Sequence, residues 1–262
     1  MLIATNIHIE MGKTPILKGV NFTAAAGQVT AIVGPNGSGK TTLLKAMTGE
    51  LSYEGQVSID GQDVAQIPAQ VLAARRAVLS QSAGLAFPFT VLEVVRLGLL
   101  AGLDAADETL PNRALDYVGL SGFEGRFYHA LSGGEQQRCQ LARVLVQVWE
   151  PIRDGTASWL FLDEPVSALD IGHQLDVMTI ARQFADAGGS VVVVMHDLNL
   201  TAMFADSVLL MKDGKALVQD DPATVLNADH LSYAYNCNVR VNTAPQATDK
   251  IPFVLPQMAS QK

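Results

Sequence analysis

The stretch of sequence that decides the fold reads Val29-Thr-Ala-Ile-Val-Gly-Pro-Asn-Gly-Ser-Gly-Lys-Thr-Thr42. A short run suited to a buried strand is followed by a glycine-rich loop, and Lys-Thr-Thr opens a segment with helical character. This order matches the phosphate-loop pattern in the strand–loop–helix context that it requires. Glycines let such a loop fold around phosphates with its amide N–H groups pointing inward, and the helix N-terminus adds positive potential. The predicted phosphate-binding residues are Gly34, Pro35, Asn36, Gly37, Ser38, Gly39, Lys40, Thr41 and Thr42.

The last residues of this motif have separate predicted tasks. Lys40 is expected to reach the β- and γ-phosphates of a nucleotide, and Thr41 is expected to bind Mg²⁺ through its hydroxyl. Thr42 is a further candidate phosphate contact. The sequence therefore predicts a nucleotide with Mg²⁺ at this loop.

A second motif, Trp159-Leu-Phe-Leu-Asp-Glu164, is an apolar strand that ends in two carboxylates. Because side chains alternate along a strand, the two acids can serve different tasks. Asp163 is expected to support the magnesium shell, and Glu164 is expected to orient or deprotonate the attacking water. Taken alone, two acids at a strand end are more often a solvated edge, but a phosphate loop upstream favours the catalytic interpretation.

Strand-like and helix-like segments alternate along the chain, which favours an α/β fold with a mostly parallel, doubly wound sheet. Several of the strands are continuously apolar, as expected for strands covered on both faces. Residues 83–130 show no convincing buried strand and predict a helical insert, and the helix after it extends the predicted helical subdomain to about 83–148. Residues 242–262 predict an irregular tail. The predicted strands are 3–9, 29–33, 57–59, 159–162, 191–195 and 208–211, and the predicted helices are 40–48, 92–100, 135–148, 171–187 and 198–205.

Charge and composition exclude several classes of protein. The net charge is −8 and no Lys or Arg run is present, so a nucleic acid is not an expected partner. Two distant cysteines indicate a reducing compartment without a disulfide framework. We find no signal-peptide pattern, and the apolar runs are far shorter than the ~20 residues of a spanning helix, so a membrane role would require a partner subunit.

A third motif, Leu131-Ser-Gly-Gly-Glu135, opens an amphipathic helix and predicts a second anion site at a helix N-terminus. An ordinary capped helix would look the same. Placed between a phosphate loop and an acidic strand, however, this motif resembles the signature of ATP-binding-cassette (ABC) ATPases. The resemblance covers about residues 2–241 and implies a phosphate-loop core with a mostly parallel sheet, an N-terminal antiparallel β part and a helical insert.

The resemblance also assigns roles to residues that the chain's own pattern leaves open. Gln81 matches the glutamine that approaches the metal and reports to the membrane subunit. Ser167-Ala-Leu-Asp170 matches the loop that crosses to the opposite protomer, and His196 matches the switch histidine beside the γ-phosphate. The implied enzyme hydrolyses ATP to ADP and phosphate with Mg²⁺.

The resemblance also implies that two copies of this chain work together as a homodimer. Each ATP would lie between the phosphate loop of one protomer and the signature of the other. The two composite sites would be related by a two-fold axis. The signature residues expected to contact the partner's nucleotide are Ser132, Gly133, Gly134 and Glu135, together with Asp170 from the crossing loop.

Three positions depart from the family pattern. Met11 stands where an aromatic residue commonly stacks on adenine, Val166 stands where a threonine is usual, and Glu135 replaces a common glutamine. Because a thioether cannot reproduce a ring-on-ring contact, adenine recognition is the property that these departures affect most.

Within the family, a single cassette without its own membrane segment resembles the motor of a bacterial importer. Its implied partners are two integral-membrane permease subunits and, through them, a periplasmic substrate-binding protein, at the cytoplasmic face of the inner membrane. A soluble ABC ATPase acting on nucleic acid or ribosomes is the main alternative, and a phosphate-loop kinase is a further one. Residues 85–95 and 231–241 resemble the branch serving iron-siderophores, vitamin B12 and haem, and the extra residues 149–158 most resemble its haem members.

One surface is expected to dock the membrane subunit. The resemblance places a short partner helix in the groove near Gln81 and Glu93, where Phe87 and Phe89 could anchor it. The alternative is that both rings belong to the core of the helical insert.

Overall fold

A six-stranded sheet lies at the centre of the molecule, between an antiparallel sheet on one face and a layer of helices on the other. Residues 1–80, 87–102 and 106–243 are described by the computed structural model. The strands are β1 Leu2–Met11, β2 Thr14–Ala24, β3 Val29–Val33, β4 Glu54–Ile59, β5 Gln62–Asp63, β6 Arg76–Leu79, β7 Ile152–Arg153, β8 Thr156–Ala157, β9 Trp159–Asp163, β10 Ser190–Val194, β11 Ser207–Lys212 and β12 Lys215–Asp220. The α-helices are α1 Lys40–Met47, α2 Ala69–Arg75, α3 Val91–Ala101, α4 Leu110–Tyr117, α5 Gly133–Gln147, α6 Ile171–Asp186, α7 Leu198–Phe204, α8 Pro222–Val225 and α9 Ala228–Tyr235.

The central sheet has the strand order β12-β11-β3-β10-β9-β6 and is parallel except for β12. Every residue of β3, β9 and β10 is buried, which explains their continuous apolar sequences. Because the strands are parallel, β3, β9 and β10 all end at the same edge. The phosphate loop and the two carboxylates follow these ends directly.

The antiparallel sheet has the order β2-β1-β4-β5. Its buried side chains pack with α1 against one face of the central sheet, in a core that includes Phe22, Trp159 and Phe161. The predicted antiparallel N-terminal part is therefore confirmed. It places the β1–β2 turn beside the phosphate loop.

Helices α5 and α6 pack on the opposite face of the sheet, and α3 and α4 pack on α5. Thr90 and Ser132 are the N-cap residues of α3 and α5, and each forms a capping box with the glutamate three residues later. The N-cap hydroxyl accepts from the backbone N–H of the glutamate, and the glutamate carboxylate accepts from the backbone N–H of the N-cap residue. The two helices cross closely at Gly98, where an added Cβ would lie 1.8 Å from the carbonyl oxygen of Arg143. Glycine at this point lets the backbones touch.

Several elements were not among the predicted strands and helices. The extra residues 149–158 form the hairpin β7–β8, and the side chain of Ile152 lies where a Cβ on Gly188 would be. The predicted set also lacked strands β2, β5, β6 and β12 and helices α2, α4, α8 and α9. Of the predicted tail, residues 244–262 lie outside the described residues. Within the described ranges, no helix has both the length and the apolar character needed to cross a membrane.

Candidate active site

An open cleft of about 520 Å³ lies at the edge where β3, β9 and β10 end. It brings together the phosphate loop, the carboxylate that follows β9 and the histidine after β10 from three distant parts of the sequence. The lining residues are Met11, Ile16, Asn36, Gly37, Gly39, Lys40, Thr41, Thr42, Glu164 and His196. Ile16 is a lining residue that the sequence analysis missed, because it belongs to no motif and its strand, β2, was not predicted.

The phosphate loop follows a path that side chains would obstruct. Gly34 has φ 146° and an added Cβ would lie 2.2 Å from the carbonyl oxygen of Met211. Gly39 has φ 98°, and a Cβ there would lie 2.7 Å from Leu17. Gly37 has φ 78° and faces open space. The loop therefore packs tightly at its two ends and leaves its middle free for a ligand.

Lys40 lies within this loop with only 6% of its surface exposed. Its Nζ donates to the carbonyl oxygens of Gly34 at 2.9 Å and Pro35 at 3.2 Å. Burial lowers the pKa of Lys40, and the charges of Glu164 and Asp163 oppose that shift. The ammonium is therefore held by neutral carbonyls, which a more strongly attracting anion can replace.

Thr41 and Asp163 meet although 122 positions separate them. The Thr41 hydroxyl donates to Asp163 Oδ1 at 2.9 Å, and Asp163 is 1% exposed. Burial raises the pKa of this carboxyl group, while the Thr41 hydroxyl opposes the shift. A hydroxyl and a carboxylate side by side are the hard oxygen ligands that Mg²⁺ prefers. The pair therefore fits a magnesium site.

The loop also contains an unsatisfied polar group. Ser38 is 2% exposed, and its Oγ finds no hydrogen-bond partner among the described residues. A buried hydroxyl without a partner is costly, so a ligand oxygen at this position would stabilise the loop. This observation agrees with a phosphate-binding function.

Glu164 and His196 form the opposite side of the cleft. His196 Nε2 lies 2.5 Å from Glu164 Oε1, so the two side chains share a hydrogen bond. Glu164 has φ 53°, a backbone conformation that residues with side chains rarely adopt. The carboxylate is thus fixed both by its side-chain partner and by an unusual backbone.

The signature residues lie elsewhere in the chain. Ser132 caps α5 with Glu135, and the hydrogen bonds from Ser132 lower the pKa of Glu135. An added Cβ on Gly134 would lie 3.2 Å from Leu169, so the signature packs against the crossing loop rather than lining the cleft. Asp170 caps α6 through the backbone N–H of His173 at 3.0 Å.

Gln81 is the one predicted site residue that lies outside the described residues. The strand before it, β6, ends at Leu79, which is paired with Leu162 of β9. The chain therefore leaves the sheet next to the acidic strand.

The model of one protein family, described as "ABC transporter", matches residues 17–167. This match extends over more than half of the chain and includes the phosphate loop, the signature and the acidic strand. The chain belongs to the ABC transporter family. The family and the fold predicted from the motifs are thereby confirmed.

Relatives within the ABC transporter family match almost the whole chain. A hemin import ATP-binding protein of Jannaschia sp. (strain CCS1) is 61% identical and the match covers 99% of this chain and 95% of the relative. A protein of the same name from Rhizobium meliloti (strain 1021) is 51% identical, covering 99% of this chain and 100% of the relative. The predicted likeness to haem import ATPases is confirmed.

Two solved structures of ABC cassettes share the fold. The cassette MJ0796, in a dimeric post-hydrolysis state with ADP and phosphate, has a TM-score of 0.74 and 26% identity, covering 85% of this chain and 99% of that one. The cassette MJ1267 in its ADP conformation has a TM-score of 0.76 and 22% identity, covering 90% and 98%. The second comparison supports the fold alone.

Proposed function

We propose that the chain is the ATP-hydrolysing motor of an ABC importer for a metal chelate, and that the chelate is haem. The observation that carries the catalytic part is the Glu164–His196 pair at 2.5 Å, facing the phosphate loop across one cleft. The haem assignment is supported by relatives that carry the name of hemin importers.

The residues of the cleft divide the reaction between them. Lys40 and the loop amides would hold the β- and γ-phosphates, with Ser38 and Thr42 as further contacts. Thr41 and Asp163 would hold Mg²⁺, with Gln81 as a further ligand; the ion would offset charge on the phosphates. Glu164 would take a proton from the attacking water, and His196 would orient that carboxylate beside the γ-phosphate.

Completion of the site requires a second copy of the chain. The signature, Ser132 to Glu135, does not line its own cleft and lies at the N-terminus of α5. The capping box uses the N–H groups of Ser132 and Glu135, which leaves those of Gly133 and Gly134 for an anion. In a head-to-tail homodimer, the signature of one protomer and its Asp170 loop would cover the ATP of the other. The dimeric MJ0796 cassette supports this arrangement.

The remaining assignments concern organisation and place. Residues 1–241 would form one ABC ATPase domain with the helical subdomain at about 83–148, and 242–262 a C-terminal tail. The homodimer would sit on two integral-membrane permease subunits at the cytoplasmic face of the bacterial inner membrane. A periplasmic substrate-binding protein would deliver the cargo, and no nucleic acid would take part.

The decisive experiment is co-purification with the permease subunits, followed by uptake assays in liposomes with haem, an iron-siderophore and vitamin B12 supplied separately. We expect ATP-dependent uptake of haem. Uptake of another chelate in its place would overturn the cargo assignment, and ATPase activity that never responds to permease and cargo would overturn the transport function.

Glu164→Gln tests the chemistry independently of the cargo. The amide preserves shape but loses the basic carboxylate, so turnover should fall by about 10²–10⁴-fold while ATP still binds and an ATP-bound dimer accumulates. Hydrolysis near the wild-type rate would show that Glu164 is not the base.

A further inference from the structure

The turn that follows the acidic strand, residues 164–170, holds a disfavoured backbone conformation. Glu164 has φ 53°, and the next residue is Pro165, which normally keeps the residue before it extended. Such conformations persist only where the surrounding structure enforces them, and they concentrate at functional sites. The contacts that enforce this one therefore bear on the carboxylate that Glu164 presents to the cleft.

Two of these contacts come from residues close in sequence. The Ser167 hydroxyl donates to the carbonyl oxygen of Glu164 at 3.2 Å. Gln174, at the start of α6, donates from its side-chain amide to the carbonyl oxygens of Val166 at 3.3 Å and Leu169 at 3.1 Å. Both residues would travel with the turn if it moved.

Other contacts come from different parts of the fold. The Glu164 N–H donates to the carbonyl oxygen of Val194 at 3.2 Å, and α5 contributes a side-chain hydrogen bond. Gln137 Nε2 donates to the carbonyl oxygen of Pro165 at 3.1 Å, across 28 positions of sequence. Gln137 lies on α5, two residues beyond the signature Ser132 to Glu135. The N-terminus of α5 also packs on the turn, since an added Cβ at Gly134 would lie 3.2 Å from Leu169.

We propose that Gln137 is a positioning residue for Glu164, and that its hydrogen bond to Pro165 makes the placement of the carboxylate depend on the position of the signature helix. This proposal rests on the proposed function, in which Glu164 activates water. The carbonyl that Gln137 holds belongs to the residue directly after Glu164, so a shift of α5 changes the direction in which the carboxylate points. Binding of the partner's nucleotide at the signature thereby changes the position of the Glu164 carboxylate in the chain's own cleft.

The test compares Gln137→Met with Gln219→Met in steady-state ATPase assays of the full chain. Methionine keeps the length of the side chain and removes the amide donor. Gln219 is a matched control because its amide also donates to a main-chain carbonyl, that of Thr23 at 2.5 Å, and it is not a cleft residue. We expect Gln137→Met to lower kcat about 10–100-fold with KM for ATP unchanged, as for a catalytic group displaced by about 1 Å. Gln219→Met should leave kcat within about twofold of wild type.

A second variant covers the outcome in which Gln137→Met is poorly folded. Gln137→Glu keeps size and polarity, but an ionised carboxylate accepts hydrogen bonds and does not donate them. It should show the same fall in kcat with a melting temperature close to wild type. Wild-type kcat in either folded variant, or a loss in kcat no larger than that of Gln219→Met, would overturn the proposal.

Dimer formation separates a role at Glu164 from a role at the signature. In the Glu164→Gln background, adding Gln137→Met should leave the ATP-bound dimer intact, because the bond positions the carboxylate and not the signature. Loss of that dimer would overturn the proposal. If Glu164→Gln alone hydrolyses ATP normally, the proposed function fails instead, and the two failures are thus distinguishable.

Discussion

Gly98 offers a sharp test of how the helical layer is built. Replacing it with alanine would place a Cβ 1.8 Å from the carbonyl oxygen of Arg143 and 2.8 Å from the carbonyl carbon. Main-chain atoms cannot rotate out of the way, so α3 and α5 must separate by more than an ångström. Overpacking costs about 1–3 kcal/mol, and a contact of 1.8 Å with a main-chain atom belongs to the upper part of that range, about 2–3 kcal/mol, whereas alanine in a helix gains about 1 kcal/mol over glycine. We expect a net loss of about 1–2 kcal/mol, which lowers Tm by about 2–8 °C in a chain of this size.

Gly172 is the matched control for this substitution. It also lies in a helix, α6, but an added Cβ would meet only Asp170 Oδ1 at 3.6 Å, an ordinary contact. Gly172→Ala should therefore leave Tm at or slightly above that of wild type, because Gly172 is the second residue of α6 and gains only part of the about 1 kcal/mol of a helix interior. Thermal unfolding of both variants without nucleotide, followed by circular dichroism, measures the difference. A Tm for Gly98→Ala at or above that of wild type would refute the close crossing of α3 and α5.

Three further predictions follow from single sites. Burial raises the pKa of Cys139 to about 12, so a maleimide at pH 7–8 should label only the exposed Cys237 in the native chain and both thiols in denaturant. Labelling of two thiols in the native state would contradict the burial of Cys139 in α5. Met11→Tyr should tighten ATP binding by about 0.5–1.5 kcal/mol if adenine lies over this side chain, and equal affinities by calorimetry would place the base elsewhere. Phe87→Ala should leave Tm unchanged but weaken pull-down of the permease subunits, because Phe87 is 71% exposed. Phe89→Ala should instead lower Tm, because Phe89 packs on the core. Unchanged assembly in a stable Phe87→Ala variant would exclude Phe87 as the anchor.

The sequence was sufficient for the fold class and for most of the cleft because those signals are local. The phosphate loop and the acidic strand each carry their chemistry within a few consecutive residues, and parallel strands bring their ends together by geometry alone. By contrast, strand β2 contains Pro15 and Gly19, and its alternation is irregular, so no clear strand pattern is visible. Register with β1 makes it a strand, and that register is a tertiary property.

Side-chain contacts between distant segments could not be predicted from the sequence. Gln137 looks like any polar residue on an amphipathic helix until the fold brings Pro165 within 3.1 Å of it. The pair Phe87 and Phe89 shows the same limit. The sequence left open whether both rings anchor a partner or belong to the core of the insert; in the structure Phe87 is 71% exposed, while Phe89 is partly buried against the core.

The open cleft, which contains no signature residue of its own chain, has a consequence for the kinetics of the isolated subunit. A single chain supplies the phosphate loop and the carboxylates of the cleft, whereas its own signature is not among the residues that line it. In the proposed homodimer, activity would require an encounter of two chains, so specific activity below the dimer dissociation constant would fall about tenfold for each tenfold dilution. Two copies held on one pair of permease subunits would keep a fixed effective concentration, and their specific activity would not depend on dilution. A dilution series alone would then distinguish free motor subunits from assembled ones.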